Sequence, residues 1–139
     1  LKVFCLGDEL LYRELEYSAQ KLGSAFQKVN FLRDLREDLQ SLGRTYFPEL
    51  AQREFDLESK KIIEASIEKD FQDSWVGVKQ LPGRSKLAVA LAFYYYKSLF
   101  LKIQKNTPEK ILSQRIRISN IRKYLIIIKV ALMYKTRVF

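Results

Sequence analysis

Asp34 and Asp38 stand four residues apart in the stretch VNFLRDLREDLQSLGRTYFP, residues 29–48. A helix would set them one turn apart on one face. Like charges at that spacing repel by roughly a few tenths of a kcal/mol. Two arrangements offset that cost: both carboxylates sit in water and pair locally with Arg33, Arg36 or Lys28, or a cation lies between them. At about 100° per residue and with Gln27 as zero, Asn30 falls near 300°, Asp34 near 340° and Asp38 near 20°. Two amides and two carboxylates therefore share one stripe. Carboxylates at i and i+4 with amides alongside can hold Mg²⁺ through one or two oxygens, leaving its other positions to water and phosphate. Towards the N-terminus the same stripe carries Gly23 and Ala19, small residues that leave room for an apolar ligand along the helix. Leu15, Leu22, Ala25, Phe26, Val29, Leu32 and Leu39 fill the broad remaining side and read as core. Arg33, near 240°, stands off the acidic line.

The elements that must position this stripe are helices. Apolar spacing near 3.6 dominates and no stretch alternates, so the chain is predicted to be all-α. The first helix is expected over about 8–41, with Gly43 as its stop and Pro48 beyond. A second, over 57–80, starts after Asp56 as N-cap and carries Ile63, Ile67, Phe71 and Val78 on one stripe. LPGRS (81–85) breaks it. A third is expected over 85–105, and a fourth over 108–114 with Thr107 capping and Pro108 in the first turn. RIRISN (115–120) is a connector. The last helix, over 120–136, is apolar through its middle and basic throughout. In Phe93-Tyr94-Tyr95-Tyr96, Phe93 and Tyr94 read as core, as does Trp75 (or as a subunit contact).

The 139 residues suffice for one domain with a sizeable core. The chain has no histidine, which removes the commonest general base and zinc ligand and any Ser-His or Cys-His nucleophile. One cysteine, Cys5, excludes an internal disulfide, suits a reducing compartment and reads as a small buried hydrophobe. Charge is uneven: residues 1–78 hold 11 Lys/Arg against 15 Asp/Glu, whereas residues 79–139 hold 14 against the single Glu109. So basic a second half calls for an anionic partner: phosphorylated substrates, a membrane surface or nucleic acid. Residues 120–137 suit an amphipathic helix lying on anionic lipid. The apolar runs LAVALAFYYY and YLIII are too short to span a bilayer. A nucleic-acid module would use the basic half and its tyrosines, but gives no reason for the shared face of Gln27, Asn30, Asp34 and Asp38, so no nucleic acid is expected.

The string LGSAFQKVNFLRDLREDLQSLGRTYFP (22–48) closely resembles the second aspartate-rich motif of the squalene/phytoene synthase family, and its wording is similar to bacterial carotenoid-pathway members. LAVALAFYYYKSLFLKI (87–103) resembles the helix carrying that family's tyrosine, here Tyr96. RIRISNIRK (115–123) resembles its late Arg-x₇-Lys element, here Arg115 and Lys123. The resemblance implies an antiparallel helical bundle of the isoprenoid synthase type. It implies that Asp34 and Asp38 hold Mg²⁺, or Mn²⁺, bridging a substrate diphosphate. By the same resemblance Gln27 and Asn30 contact the diphosphate or the metal shell, and Arg33 and Arg44 fix the helix end and anionic groups. Tyr96, Arg115 and Lys123 would line the pocket or its diphosphate end.

The implied reaction joins two prenyl diphosphates head to head: ionisation gives an allylic carbocation, and the second double bond attacks to form a cyclopropylcarbinyl diphosphate that rearranges. Phytoene from two geranylgeranyl diphosphates is the expected product. Dehydrosqualene or squalene from farnesyl diphosphate is the alternative, squalene alone needing NADPH. The family has a first aspartate-rich motif upstream, and nothing in residues 1–26 matches it. The chain, which opens on Leu1, therefore reads as the C-terminal part of such an enzyme. Catalysis by this part alone is not expected, and its uncovered faces would favour self-association. Cytoplasmic placement, with peripheral contact at the inner membrane face, is the expected location.

Overall fold

The structure, a computed structural model, describes residues 1–35 and 55–139. Its described residues form five helices and no strand: α1 Glu9–Arg33, α2 Leu57–Gln80, α3 Gly83–Gln104, α4 Pro108–Ser113 and α5 Asn120–Lys135. The starts follow local chemistry. Asp8 accepts from the amides of Leu10 and Leu11, both at 3.0 Å, and Asp56 from that of Ser59 at 2.8 Å. Thr107 accepts from Lys110 N at the head of α4 and Ser119 from Arg122 N at the head of α5. Each cap satisfies amides that the first helical turn leaves unpaired. α3 begins two residues before the expected Ser85. Gly83, at φ +48°, makes the turn out of Pro82, a conformation that strains other residues.

A break in regular geometry stands at Asp34, inside the helix expected to about Ser41: α1 runs to Arg33, Asp34 takes φ −103° and ψ 17°, and Leu35 is helical again. Asp34 N–H still bonds Asn30 O at 3.0 Å, so the last turn of α1 closes. Asp38, Arg44, Gly43 and Pro48 lie outside the described residues, as does the rest of that expected helix.

The helices run antiparallel in sequence order. Ser18, Ser24 and Lys28 of α1 meet Asp73, Asp70 and Ser66 of α2 in descending order. Lys97 of α3 pairs with Glu68 of α2, while Phe93 lies on Trp75. α3 touches both α1 and α2, and α5 packs chiefly on α3. The expected α2 stripe of Ile63, Ile67, Phe71 and Val78 is fully buried, joined by Leu32, Val29, Leu99, Phe100 and Ile103 in one core. Phe93 and Trp75 belong to it, Tyr94 lies half-buried against it, and Cys5 is buried in a satellite cluster with Leu15 and Leu81. α1 and α2 approach closely at Ser18 and Gly77: a Cβ on Gly77 would lie 2.4 Å from Ser18 Cβ. Only glycine fits there.

Candidate active site

Two features meet on the face shared by α1 and α3. The first is polar. Asn30 Nδ2 donates to Tyr96 Oη at 3.2 Å, and the Tyr96 ring stacks on Phe26 with centroids 4.1 Å apart. One turn on, the Asp34 carboxylate accepts from Arg33 through both oxygens: Nε at 3.2 Å on Oδ1 and Nη2 at 3.0 Å on Oδ2. Arg115 Nε reaches Oδ1 at 3.0 Å from the connector before α5. That connector is held by Ile116 and Ile118, both buried, which alternate with the exposed Arg115 and Arg117. Lys102 fixes it further by donating to Arg117 O at 2.5 Å. The hydrogen bond from Arg33 to Asp34, stronger than the opposing effect of burial, raises the Arg33 pKa above its ordinary value.

The second feature is apolar. A cavity of about 300 Å³ runs beside α1, walled by Ala19, Leu22 and Phe26 of α1, Ser74, Gly77 and Val78 of α2, and Ala88, Val89 and Ala92 of α3. Leu1, Phe4, Leu15 and Leu81 also line it. Phe26 belongs to both features, since one ring borders the cavity and packs on the tyrosine that Asn30 holds. The arrangement is a greasy slot with a charged rim. It is chemically suited to a molecule with an apolar tail and an anionic head.

The sequence expectations fare unevenly against this geometry. Asn30, Arg33, Asp34, Tyr96 and Arg115 come together as described. Gln27 and Lys123 are exposed, and among the described residues no hydrogen bond joins either side chain to the cluster. Ala19 borders the cavity, whereas Gly23 is exposed and does not. Lys28 pairs not with the aspartates of its own helix but with Asp70 across the α1–α2 seam, at 2.6 Å. Arg33, expected to stand off the acidic line, grips Asp34, whose backbone at φ −103° and ψ 17° departs from regular helix. Phe26, assigned to the core, has a second role at the cavity. Its helical angle near 260° lies only about 20° from that of Ala19, a signal for which side it borders. Gly77, Ala88 and Ala92 went unremarked, although small residues spaced four apart, as Ala88 and Ala92 are, mark a helix face that keeps space open.

Do these residues fit a divalent cation? Asn30 Oδ1 is buried and accepts from no donor, which leaves a hard oxygen in want of a positive partner. Asp34 supplies a carboxylate one turn away. Those donor types fit Mg²⁺, with the proviso that both Asp34 oxygens are already taken by guanidinium groups. Among the described residues no group of three or more acidic, histidine or cysteine side chains is assembled for a metal.

No helix among the described residues is long and apolar enough to cross a membrane. No curated protein and no solved structure gives a significant match to the chain. The family model described as squalene/phytoene synthase matches residues 1–122, most of the 139. With its all-α architecture, the chain thus belongs to the squalene/phytoene synthase family, transferases that join prenyl diphosphates head to head.

Proposed function

We propose that this chain forms the part of a phytoene synthase that holds one end of a prenyl diphosphate, in the condensation of two geranylgeranyl diphosphates during carotenoid biosynthesis. The observation that carries the reading is Phe26, a single ring joining the apolar slot to the Asn30–Tyr96–Asp34 cluster. The prenyl tail lies in the slot, where apolar walls keep water from an allylic cation. Arg33 and Arg115 meet the diphosphate with planar forks suited to its oxygens. Tyr96 accepts from Asn30 and keeps its own hydroxyl proton to donate to an anionic oxygen. Asn30 and Asp34 would hold Mg²⁺, together with Asp38, which lies outside the described residues. When bound, that ion supplies Lewis-acid neutralisation of the charge leaving with the diphosphate. The test is calorimetric titration with the unreactive thiodiphosphates of geranylgeraniol and farnesol, with and without Mg²⁺. Mg²⁺-dependent binding that favours the longer tail and weakens at least tenfold in Asp34→Asn supports the reading. Preference for farnesyl moves the assignment to dehydrosqualene or squalene synthesis, and absence of Mg²⁺-dependent binding removes it.

A membrane role rests on α5. Ile121, Leu125, Ile128 and Leu132 follow a 4-3-4 spacing and are each more than half exposed, with Tyr124 beside them at 66%. Arg122, Lys129 and Lys135 flank them, and α5 carries no acidic residue. Such a face suits anionic lipid, apolar stripe inserted and basic side chains on headgroups. Flotation with phosphatidylglycerol vesicles should retain the chain and lose it on Arg122→Glu/Lys129→Glu. Unchanged flotation in that variant would reject lipid as the partner.

A further inference from the structure

Asp34 faces two guanidinium groups, so among the described residues its immediate surroundings are positive without any metal. Both carboxylate oxygens are occupied, and the neighbouring acceptor, Asn30 Oδ1, is buried and vacant of donors. The two arginines are not equivalent. Arg33 is the residue next to Asp34, holds both of its oxygens and has a side chain only 20% exposed. Arg115 arrives from a connector, its side chain is 43% exposed, and it makes one contact to Oδ1. A cation seeking Asp34 must take the place of one of them, and Arg115 is the one able to leave.

We propose that Arg115 is a stand-in cation: it occupies Asp34 until a diphosphate binds, then transfers to the diphosphate and so opens the carboxylate to the divalent ion. The idea rests on the assignment of Asp34 to metal and diphosphate binding. It adds an order of events that the assignment does not contain. Metal alone meets an Asp34 whose two oxygens both face guanidinium groups, and it binds poorly there. A diphosphate meets two forks and draws Arg115 away, because a guanidinium gains more from a multiply charged anion than from one carboxylate. Asp34 then becomes available at the moment the anion arrives. Coupling between two sites is reciprocal, so whatever the anion does for the metal the metal does for the anion. Ile116 and Ile118 keep the Arg115 backbone anchored through the exchange, so that only the side chain needs to swing.

The decisive quantity is metal affinity in the absence of any diphosphate, read from the free Mn²⁺ signal in electron paramagnetic resonance titrations of the full chain. Arg115→Gln is expected to bind Mn²⁺ alone about tenfold more tightly than the parent chain, within the usual span of coupling between sites. Arg115→Lys, a point charge in place of a fork, should fall between them. A merely structural arginine would leave the affinity unchanged or lower it, and either result in an intact fold by circular dichroism overturns the proposal. Should Arg115→Gln fail to fold, the Arg115→Lys comparison decides alone. Asp34→Asn separates the two levels of inference. If Mn²⁺ binding with inorganic diphosphate is lost in that variant but Arg115 variants show no gain, the stand-in role fails and the metal assignment stands. If Asp34→Asn binds Mn²⁺ and diphosphate as the parent does, both fall.

Discussion

Two carboxylates in this molecule are each gripped by two cations, and they differ in almost everything else. Asp70 sits in the α1–α2 seam with its side chain 5% exposed; Lys28 binds it at 2.6 Å, Ser24 at 2.7 Å and Lys21 at 3.4 Å. All three donors come from the rigid middle of one helix. Asp34 stands at a helix end, 18% exposed, with one of its cations borne by a connector and an unsatisfied amide oxygen alongside. The first arrangement is closed: every oxygen is held and nothing is positioned to exchange. The second is open at one side. A buried ion pair of the first kind holds two helices in register, while one of the second kind is a place where a ligand can be traded for a side chain.

Breaking the closed pair should have the largest effect on stability. Asp70→Ala leaves Lys28 and Lys21 of α1 at the α1–α2 seam without their carboxylate, and chemical denaturation should show a loss of about 3–5 kcal/mol. Acid should act in the same direction. Burial tends to raise the Asp70 carboxyl, but the hydrogen bonds from Lys28 and Ser24 prevail and hold it below its ordinary value. A depressed folded-state value contributes stability that is complete above the unfolded carboxyl range and is lost as pH falls through the folded value. Melting temperature should therefore decline from about pH 4 downwards, and Asp70→Asn should flatten that decline. A parent protein no more acid-labile than the variant would contradict the closed-network account.

Gly77→Ala sharpens the contrast from the packing side. The added methyl meets Ser18 Cβ, backed by helix, and should cost about 1–3 kcal/mol in denaturation, with Ser18→Gly restoring part of it. The smallest effect belongs to the open pair. Asp34→Asn should change stability by no more than about 1 kcal/mol, because the pair stands at a helix end and Arg115, 43% exposed, reaches solvent when released. A loss as large as that of Asp70→Ala would mean that the two carboxylates do the same job.

Why were some of these features legible in the chain and others not? Helix starts were, because Asp8, Asp56 and Thr107-Pro108 act within four residues of themselves. The shared face of Asn30 and Asp34 was also readable, since it follows from helical period alone. The pairing of Asp34 was not: Arg115 reaches its carboxylate from the connector, and no local pattern near residue 34 announces it. Tyr96 and Arg115 were reached only through resemblance, as nothing in an aromatic run or an arginine pair says which partner waits across the fold. The Asp70 network escaped for the same reason. Lys28 was matched with acids on its own helix, whereas the nearest carboxylate in space belongs to α2. Gln27 shares a stripe with Asn30 yet is exposed where Asn30 is half-buried, a difference that helical period alone does not fix.

The near-touching backbones at Ser18 and Gly77 have a consequence for anyone wishing to reshape the slot. Two of its three sides are pinned together and cannot be spread without losing the pin. Extra length or girth for a bulkier guest has to be carved from the remaining side, where Val89 stands between Ala88 and Ala92 along α3. Tailoring this slot to larger guests is thus a one-wall problem, and Val89 is the first stone to chip.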